Sequence, residues 1–171
     1  MFEREIPRPQ YDIFGINLSF DGEVSSGFLR RILKEIPIDS VHTVLDLYCG
    51  NGRLTLGSII LYTHAQIHAV DYHNVLVHDA IHHPRVTFHQ GWVTEVLKSD
   101  DIPKADIVLM SYASRHHGFT EENISLLASH VKGVLFTVGD NDDIEHERWF
   151  QNHFVCKKSI PGHFAAVWEA R

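Results

Sequence analysis

The sequence predicts an α/β protein: a doubly wound, mostly parallel sheet closed by an antiparallel hairpin. Three observations carry this expectation. Val44 to Gly52 reads V-L-D-L-Y-C-G-N-G, an apolar strand that runs into a glycine turn and then a helix. Short apolar runs then alternate with helical segments, the pattern of parallel strands joined by crossovers. Near the end, two strand-like runs flank Pro161-Gly162, a hairpin signal.

Taken in order, residues 1–24 carry Pro7, Pro9 and Gly15 and show no helical period. They hold too many apolar residues for a disordered tail and read as a strap on the core or a lid over a substrate pocket. Ser25 or Ser26 is suited to cap a helix, with Phe28, Leu29, Ile32, Leu33 and Ile36 on one face and Pro37 as its stop. Val44, Leu45 and Leu47 form a strand buried on both faces. The helix from Arg53 to Tyr62 is apolar nearly all round, and Gly57 within it allows close packing. Strands are expected over Gln66–Tyr72, Arg85–Phe88, Ala105–Met110 and Gly133–Val138. Asn74 is placed to cap a short helix ending at His82. Thr120 caps another, with Glu121 and Glu122 in its first turn, and residues 143–153 form a last one. Phe154–Ile160 and His163–Ala170 make the hairpin.

The chemistry gathers at the first strand. A carboxylate at Asp46, inside an apolar run, is costly unless something pairs with it. Gly50 and Gly52 let the backbone turn tightly and a ligand approach. Strand, acid, glycine turn and helix together make the layout of a nucleotide-type cofactor site. Asp71 stands nineteen residues after Gly52 at the next strand end, where an acid in a doubly wound sheet bonds the ribose hydroxyls of a nucleoside. A nicotinamide dehydrogenase is disfavoured, because Thr55 stands at the third glycine position of G-x-G-x-x-G.

Fifteen basic and 22 acidic residues give a net charge of −7, so a polyanion such as RNA or DNA is disfavoured as a direct substrate. Cys49 and Cys156 make no disulfide framework, the N-terminal residues are no signal peptide, and no apolar run approaches a membrane span. A cytoplasmic protein is the expectation. His78 and His82 share a helical face at a metal-ligand spacing, but without a third ligand they read as a solvated face and no metal is expected.

The stretch V-L-D-L-Y-C-G-N-G resembles motif I of the class I methyltransferases, which use S-adenosylmethionine (SAM). That resemblance covers residues 25–171. It implies a seven-stranded sheet of order 3-2-1-4-5-7-6, SAM as cofactor and a lid role for residues 1–24. It implies that Tyr48, Cys49, Gly50, Asn51 and Gly52 lie against the methionine and ribose, and that Asp46 organises this loop and the methionine amino group. Asp71 and Tyr72 follow at the ribose. Gly91 and Trp92 stand at the adenine end and Ser111 closes the fourth strand. The family usually has an Asp after the third strand, where it contacts the adenine amino group; here Trp92 stands in that place, and an indole can stack on adenine instead. The segment after the fourth strand should supply a base or substrate contact, with His116 first and Tyr112, Arg115 and His117 behind it. The string L-Y-C-G-N-G is also similar to RNA methyltransferases that act on the uridine ring carbon. Their Asp-Pro-Pro motif and late cysteine nucleophile are missing, since the fourth strand ends Ser111-Tyr112-Ala113 and Cys156 lies in the hairpin. A small-molecule acceptor is the expectation. An RNA or protein methyltransferase, or a SAM-binding subunit without activity of its own, are the alternatives.

Overall fold

Strand β1 (Thr43–Leu47) lies at the centre of the sheet because three of its five side chains are large aliphatic groups that gain by leaving water. Val44, Leu45 and Leu47 are fully buried. The computed structural model describes residues 18–73, 82–111, 120–139, 147–160 and 165–171, with side chains from residue 25 onward. β1 pairs in parallel with β2 (Gln66–Asp71) and β4 (Ala105–Ser111). β3 (Val86–Gln90) extends the sheet beyond β2, and β5 (Val131–Val138) beyond β4. β7 (Ala165–Ala170) runs antiparallel between β5 and β6 (Phe154–Ile160). The resulting order, β3-β2-β1-β4-β5-β7-β6, is the one expected.

Alternating strand residues feed two cores, since successive side chains leave a strand on opposite faces. On one face Val44, Ile67, Ala69 and Leu109 meet α1 (Leu18–Ile32) and α2 (Arg53–Leu61) through Leu29, Ile32, Leu56 and Ile59. On the other, Leu45, Leu47, Val70 and Val108 meet α3 (Val93–Val96), α4 (Glu121–His130) and α5 (Arg148–Gln151) through Val93, Leu127 and Phe150.

The first helix differs from expectation at both ends. Ser25 and Ser26 do not cap it; they lie inside α1, which begins at Leu18, and both are buried. The 24/25 boundary therefore falls within a helix. α1 also stops at Ile32, ahead of Pro37, and residues 33–36 form a turn. α2 approaches α1 closely at these serines. A Cβ on Gly57 would sit 2.7 Å from Ser25 Cβ and 2.9 Å from the Ser25 carbonyl carbon. Gly57→Ala is therefore expected to destabilise the fold by about 2 kcal/mol through overpacking, although alanine favours the helix itself. Urea unfolding measures this, and a stabilised variant would contradict the close approach.

The carboxyl end of α2 is closed by a side chain from another element. Arg85 Nη1 donates to the carbonyls of Tyr62 (2.7 Å) and Ala65 (3.0 Å), and Nη2 donates to that of Ile59 (2.7 Å). The last carbonyls of a helix have no partners within it, and a guanidinium offers several donors in one plane.

β5 begins at Val131, directly after α4, two residues earlier than its apolar run suggests. The junction is held by buried His130, whose Nε2 lies 2.8 Å from the Leu97 carbonyl oxygen. Gly133 is the residue that fits beside the Ala105–Ile107 irregularity, since a Cβ there would meet the Asp106 carbonyl oxygen at 2.3 Å. The helix expected from Asn74 falls on residues 74–81, outside the described residues, and of the 143–153 helix the described part is Arg148–Gln151. Among the described residues no helix is long and apolar enough to cross a membrane.

Candidate functional site

Between β1 and α2 the chain must reverse within five residues, and it does so through left-handed backbone. Tyr48, Gly50 and Gly52 have φ of 56°, 53° and 92°. Glycine adopts this conformation freely, whereas for Tyr48 it costs about 1 kcal/mol. The Cys49 amide donates to the Val70 carbonyl (3.0 Å) and the Gly52 amide to the Cys49 carbonyl (2.9 Å), which pins the turn against β2. A Cβ on Gly50 would meet nothing within 4 Å, so it is the backbone angle that favours glycine there, and the space beside it is open.

Asp46 lies in the strand beneath this turn and is fully buried. The Thr55 hydroxyl donates to its Oδ2 at 2.6 Å, while Oδ1 has no partner. Burial pushes the carboxyl up from 3.8 to about 7, with the charge of Asp71 adding to the rise and the Thr55 bonds opposing it. Burial, with Asp46 and Asp71 behind it, also raises the Cys49 thiol well above its ordinary value. The thiol is therefore protonated at neutral pH and is no ready nucleophile.

Asp71 joins two loops. Its Oδ2 accepts the Gly50 amide and its Oδ1 the His73 amide, both at 2.9 Å. Each oxygen keeps further acceptor capacity. Just beyond it, Tyr72 and Trp92 stack with ring centroids 4.3 Å apart and planes at 28°, and each is 47% exposed. Gly91 precedes Trp92, and its amide donates to the Asp71 carbonyl at 2.9 Å.

Among the clefts lined by described residues, two have the same volume of about 420 Å³, and their position distinguishes them. One lies between Ile36 of the turn after α1 and strands β5, β6 and β7, lined by Val134, Lys158 and Val167 among others. The other lies at the carboxyl ends of the parallel strands, where α/β sheets bind ligands. Its lining joins Tyr48, Cys49, Gly50 and Asn51 to Ser111 and Val138 at the ends of β4 and β5.

The expected residues thus form two groups on either side of the Asp71–Gly50 bond. Tyr48 to Asn51 and Ser111 line the cleft, while Asp71, Tyr72, Gly91 and Trp92 gather at the β2 and β3 ends. Asp46 and Gly52 form the base and exit of the turn. His116, with Tyr112, Arg115 and His117, lies outside the described residues, as does His78. Among the described residues no group of three or more His, Cys, Asp or Glu is placed to hold a metal. Thr55, Ser25 and Arg53 belong to the site without having been singled out as members. Thr55 was legible as a polar residue between Leu54 and Leu56 in the first turn of a mostly apolar helix, nine residues after Asp46. Ser25 reaches the cleft only through packing of α1 on α2.

Comparisons with known proteins bear on the family and the fold. A family model described as a methyltransferase domain matches residues 44–139, more than half of the chain. No curated protein matches. Among solved structures, fibrillarin in its complex with Nop5p aligns with a TM-score of 0.62 at 15% identity, over 80% of this chain and 75% of that one. MycE methyltransferase of the mycinamycin biosynthetic pathway, with Mg and SAH, gives 0.60 at 17% identity, over 91% and 49%. Human N-acetylserotonin methyltransferase with SAM gives 0.55 at 17% identity, over 95% and 61%. The chain therefore spans about half of MycE and three-fifths of the human enzyme. With the family match over β1 to β5 and the shared sheet order, the chain belongs to the methyltransferase-domain family and has the class I fold of SAM-dependent methyltransferases.

Proposed function

We propose that this protein moves the methyl group of SAM to a small-molecule acceptor by direct displacement. The observation that carries the reading is the Gly50–Asp71 bond over a buried Asp46 whose Oδ1 has no partner. A cationic amino group at the turn would compensate that orphan oxygen, and the remaining lone pairs of Asp71 suit ribose hydroxyls. The open space at Gly50 leaves room for the ligand between them. When bound, SAM supplies an activated methyl group.

The chain's own residues then have three tasks. Asp46 and Asp71 orient the cofactor, while Gly91 and Trp92 hold its base. The cleft at Ser111 and Val138 seats the acceptor. A base is needed where the acceptor carries a proton that must leave, and we assign it to His116. The residues 1–24 are proposed to cover the acceptor side, and the location to be cytoplasmic.

A small acceptor is supported by the net charge of −7, which disfavours a polyanionic substrate. Fibrillarin, in a complex with another protein, shares the fold, so fold alone does not choose the acceptor.

Calorimetry with SAM and S-adenosylhomocysteine tests the cofactor. The native protein is expected to bind both, and Asp71→Ala to weaken binding at least tenfold. Absence of binding by the native protein would sink the reading.

A further inference from the structure

The outermost parallel strand is tied to the sheet by a pair of histidines. His68 Nδ1 of β2 lies 3.0 Å from His89 Nε2 of β3. The ring centres are 5.2 Å apart and the planes differ by 14°. With nitrogens so close, ring centres so far apart require both nitrogens to lie nearly on the line between the centres. The rings therefore meet edge to edge, as an N–H···N bond along the donor's own axis requires, and not face to face. One proton is shared by the two nitrogens, and the tautomer decides which ring carries it. β3 depends on such a bond more than an inner strand does. It ends the sheet, pairs with β2 and has no fully buried residue. Val86 and Phe88 pack toward α1 and α2. His68 and His89 leave on the other face, which Val93 and Leu97 of α3 and its following turn cover. The charged groups that this helix and turn contribute are Glu95 and Lys98, paired at 2.7 Å, with Asp100 and Asp101. Of these, Asp101 acts on His89. Arg85, at the start of β3, is turned to the end of α2.

We propose that the His68–His89 pair is an acid-released clasp, which holds β3 to the sheet while at least one ring is neutral and lets the strand part when both are protonated. Geometry sets this rule. With both rings neutral, one donates to the other. A first added proton keeps the bond and gives it a charged donor, which strengthens it. A second leaves two N–H groups and two like charges facing each other, with no acceptor between them. The rings therefore titrate as a pair, in two separated steps. Burial acts in the same direction. It lowers His68, with His89 adding to the fall, and it lowers His89 against the pull of Asp101. The folded pair thus binds protons more weakly than the unfolded chain does. Its hold is present above about pH 6.5 and is lost as the pH falls. β3 runs directly into Gly91 and Trp92, so the clasp makes the seating of that end of the site acid-sensitive. It belongs to the sheet itself and stands whether or not SAM is the ligand.

Nuclear magnetic resonance on the full, nitrogen-labelled chain tests the clasp. Near neutral pH the native protein is expected to show a nitrogen–nitrogen coupling across the shared proton. On acidification the ring nitrogens of His68 and His89 are expected to titrate together in two steps. Amide-exchange protection along β3, taken relative to β1 in the same sample, is expected to fall about tenfold or more between about pH 7 and pH 5. In His68→Gln the side-chain amide can still meet His89 but carries no charge, and the same ratio is expected to stay within about threefold. Two histidines that titrate independently overturn the inference, as does a native ratio that does not change with pH. An equal fall in His68→Gln overturns it likewise, because the loss would then come from another group. The native titration needs no variant, so it decides whether the pair acts as one even if His68→Gln fails to fold.

Discussion

Asp46→Asn is expected to gain stability over the native protein as the pH rises, by about 3 kcal/mol between pH 5 and pH 8, and to lose SAM affinity at least tenfold. The carboxyl of Asp46 is raised from 3.8 to about 7 in the folded protein. Between those values the native state holds a proton that the unfolded chain has released. The favourable contribution is therefore complete below about pH 4 and is lost as pH rises through 7, at about 1.4 kcal/mol per unit. Asparagine has no such dependence, so the difference between the two proteins isolates the carboxyl. The His68–His89 pair, with ring nitrogens 3.0 Å apart, acts in the opposite sense. Burial lowers both imidazoles, so their contribution is present above about pH 6.5 and is lost in acid. It cancels in the comparison because both proteins carry it. Thermal unfolding at several pH values measures the stability difference, and a pH-independent difference would refute a buried, uncompensated carboxyl. Calorimetry gives the affinity. A proton should also leave on binding near pH 6, visible as a dependence of the measured heat on the buffer, since a cationic ligand group favours the ionised form.

Arg85→Met is expected to cost about 3 kcal/mol of stability, and Arg85→Lys roughly half as much. The guanidinium serves three carbonyls at the end of α2, and hydrogen bonds to charged groups are worth about 1.5–3 kcal/mol each. Arg85 is partly exposed, which lowers that sum, while methionine retains most of the apolar stem. Lysine keeps the charge but has no planar fork to reach three acceptors at once. Urea denaturation should show a lower midpoint with an unchanged slope. A loss below about 1 kcal/mol would mean that the carbonyls are served equally well by water.

The sheet was legible in the sequence because its central strands are apolar on both faces and its helices are punctuated by glycine and proline. Val44, Leu45 and Leu47, with the glycines that follow, located β1 and its turn, and the spacing to Asp71 located the second half of the site. Contacts between distant elements were harder to read. Ser25 and Ser26 look like caps, since serine favours that position, but they lie within α1, where Ser25 packs on Gly57 of α2. Arg85 gives no signal of its role, because its partners are backbone carbonyls 20 to 26 residues away. Trp92 was legible as a departure from the family pattern, but its stacking on Tyr72 depends on β2 and β3 lying side by side.

The insertion of β7 between β5 and β6 has a consequence for the order in which the molecule is completed. The two strands it joins precede it in the chain, and each takes its antiparallel partner from Ala165–Ala170. During synthesis β5 and β6 therefore leave the ribosome as bare edges, open to pairing with other chains until β7 arrives. β6 carries Lys157 and Lys158 together with a register shift between Cys156 and Lys158, both of which discourage such pairing. β5 has Lys132 near its start but Leu135 and Phe136 at its centre, so a nascent chain stalled before Ala165 leaves its more apolar edge open to pairing.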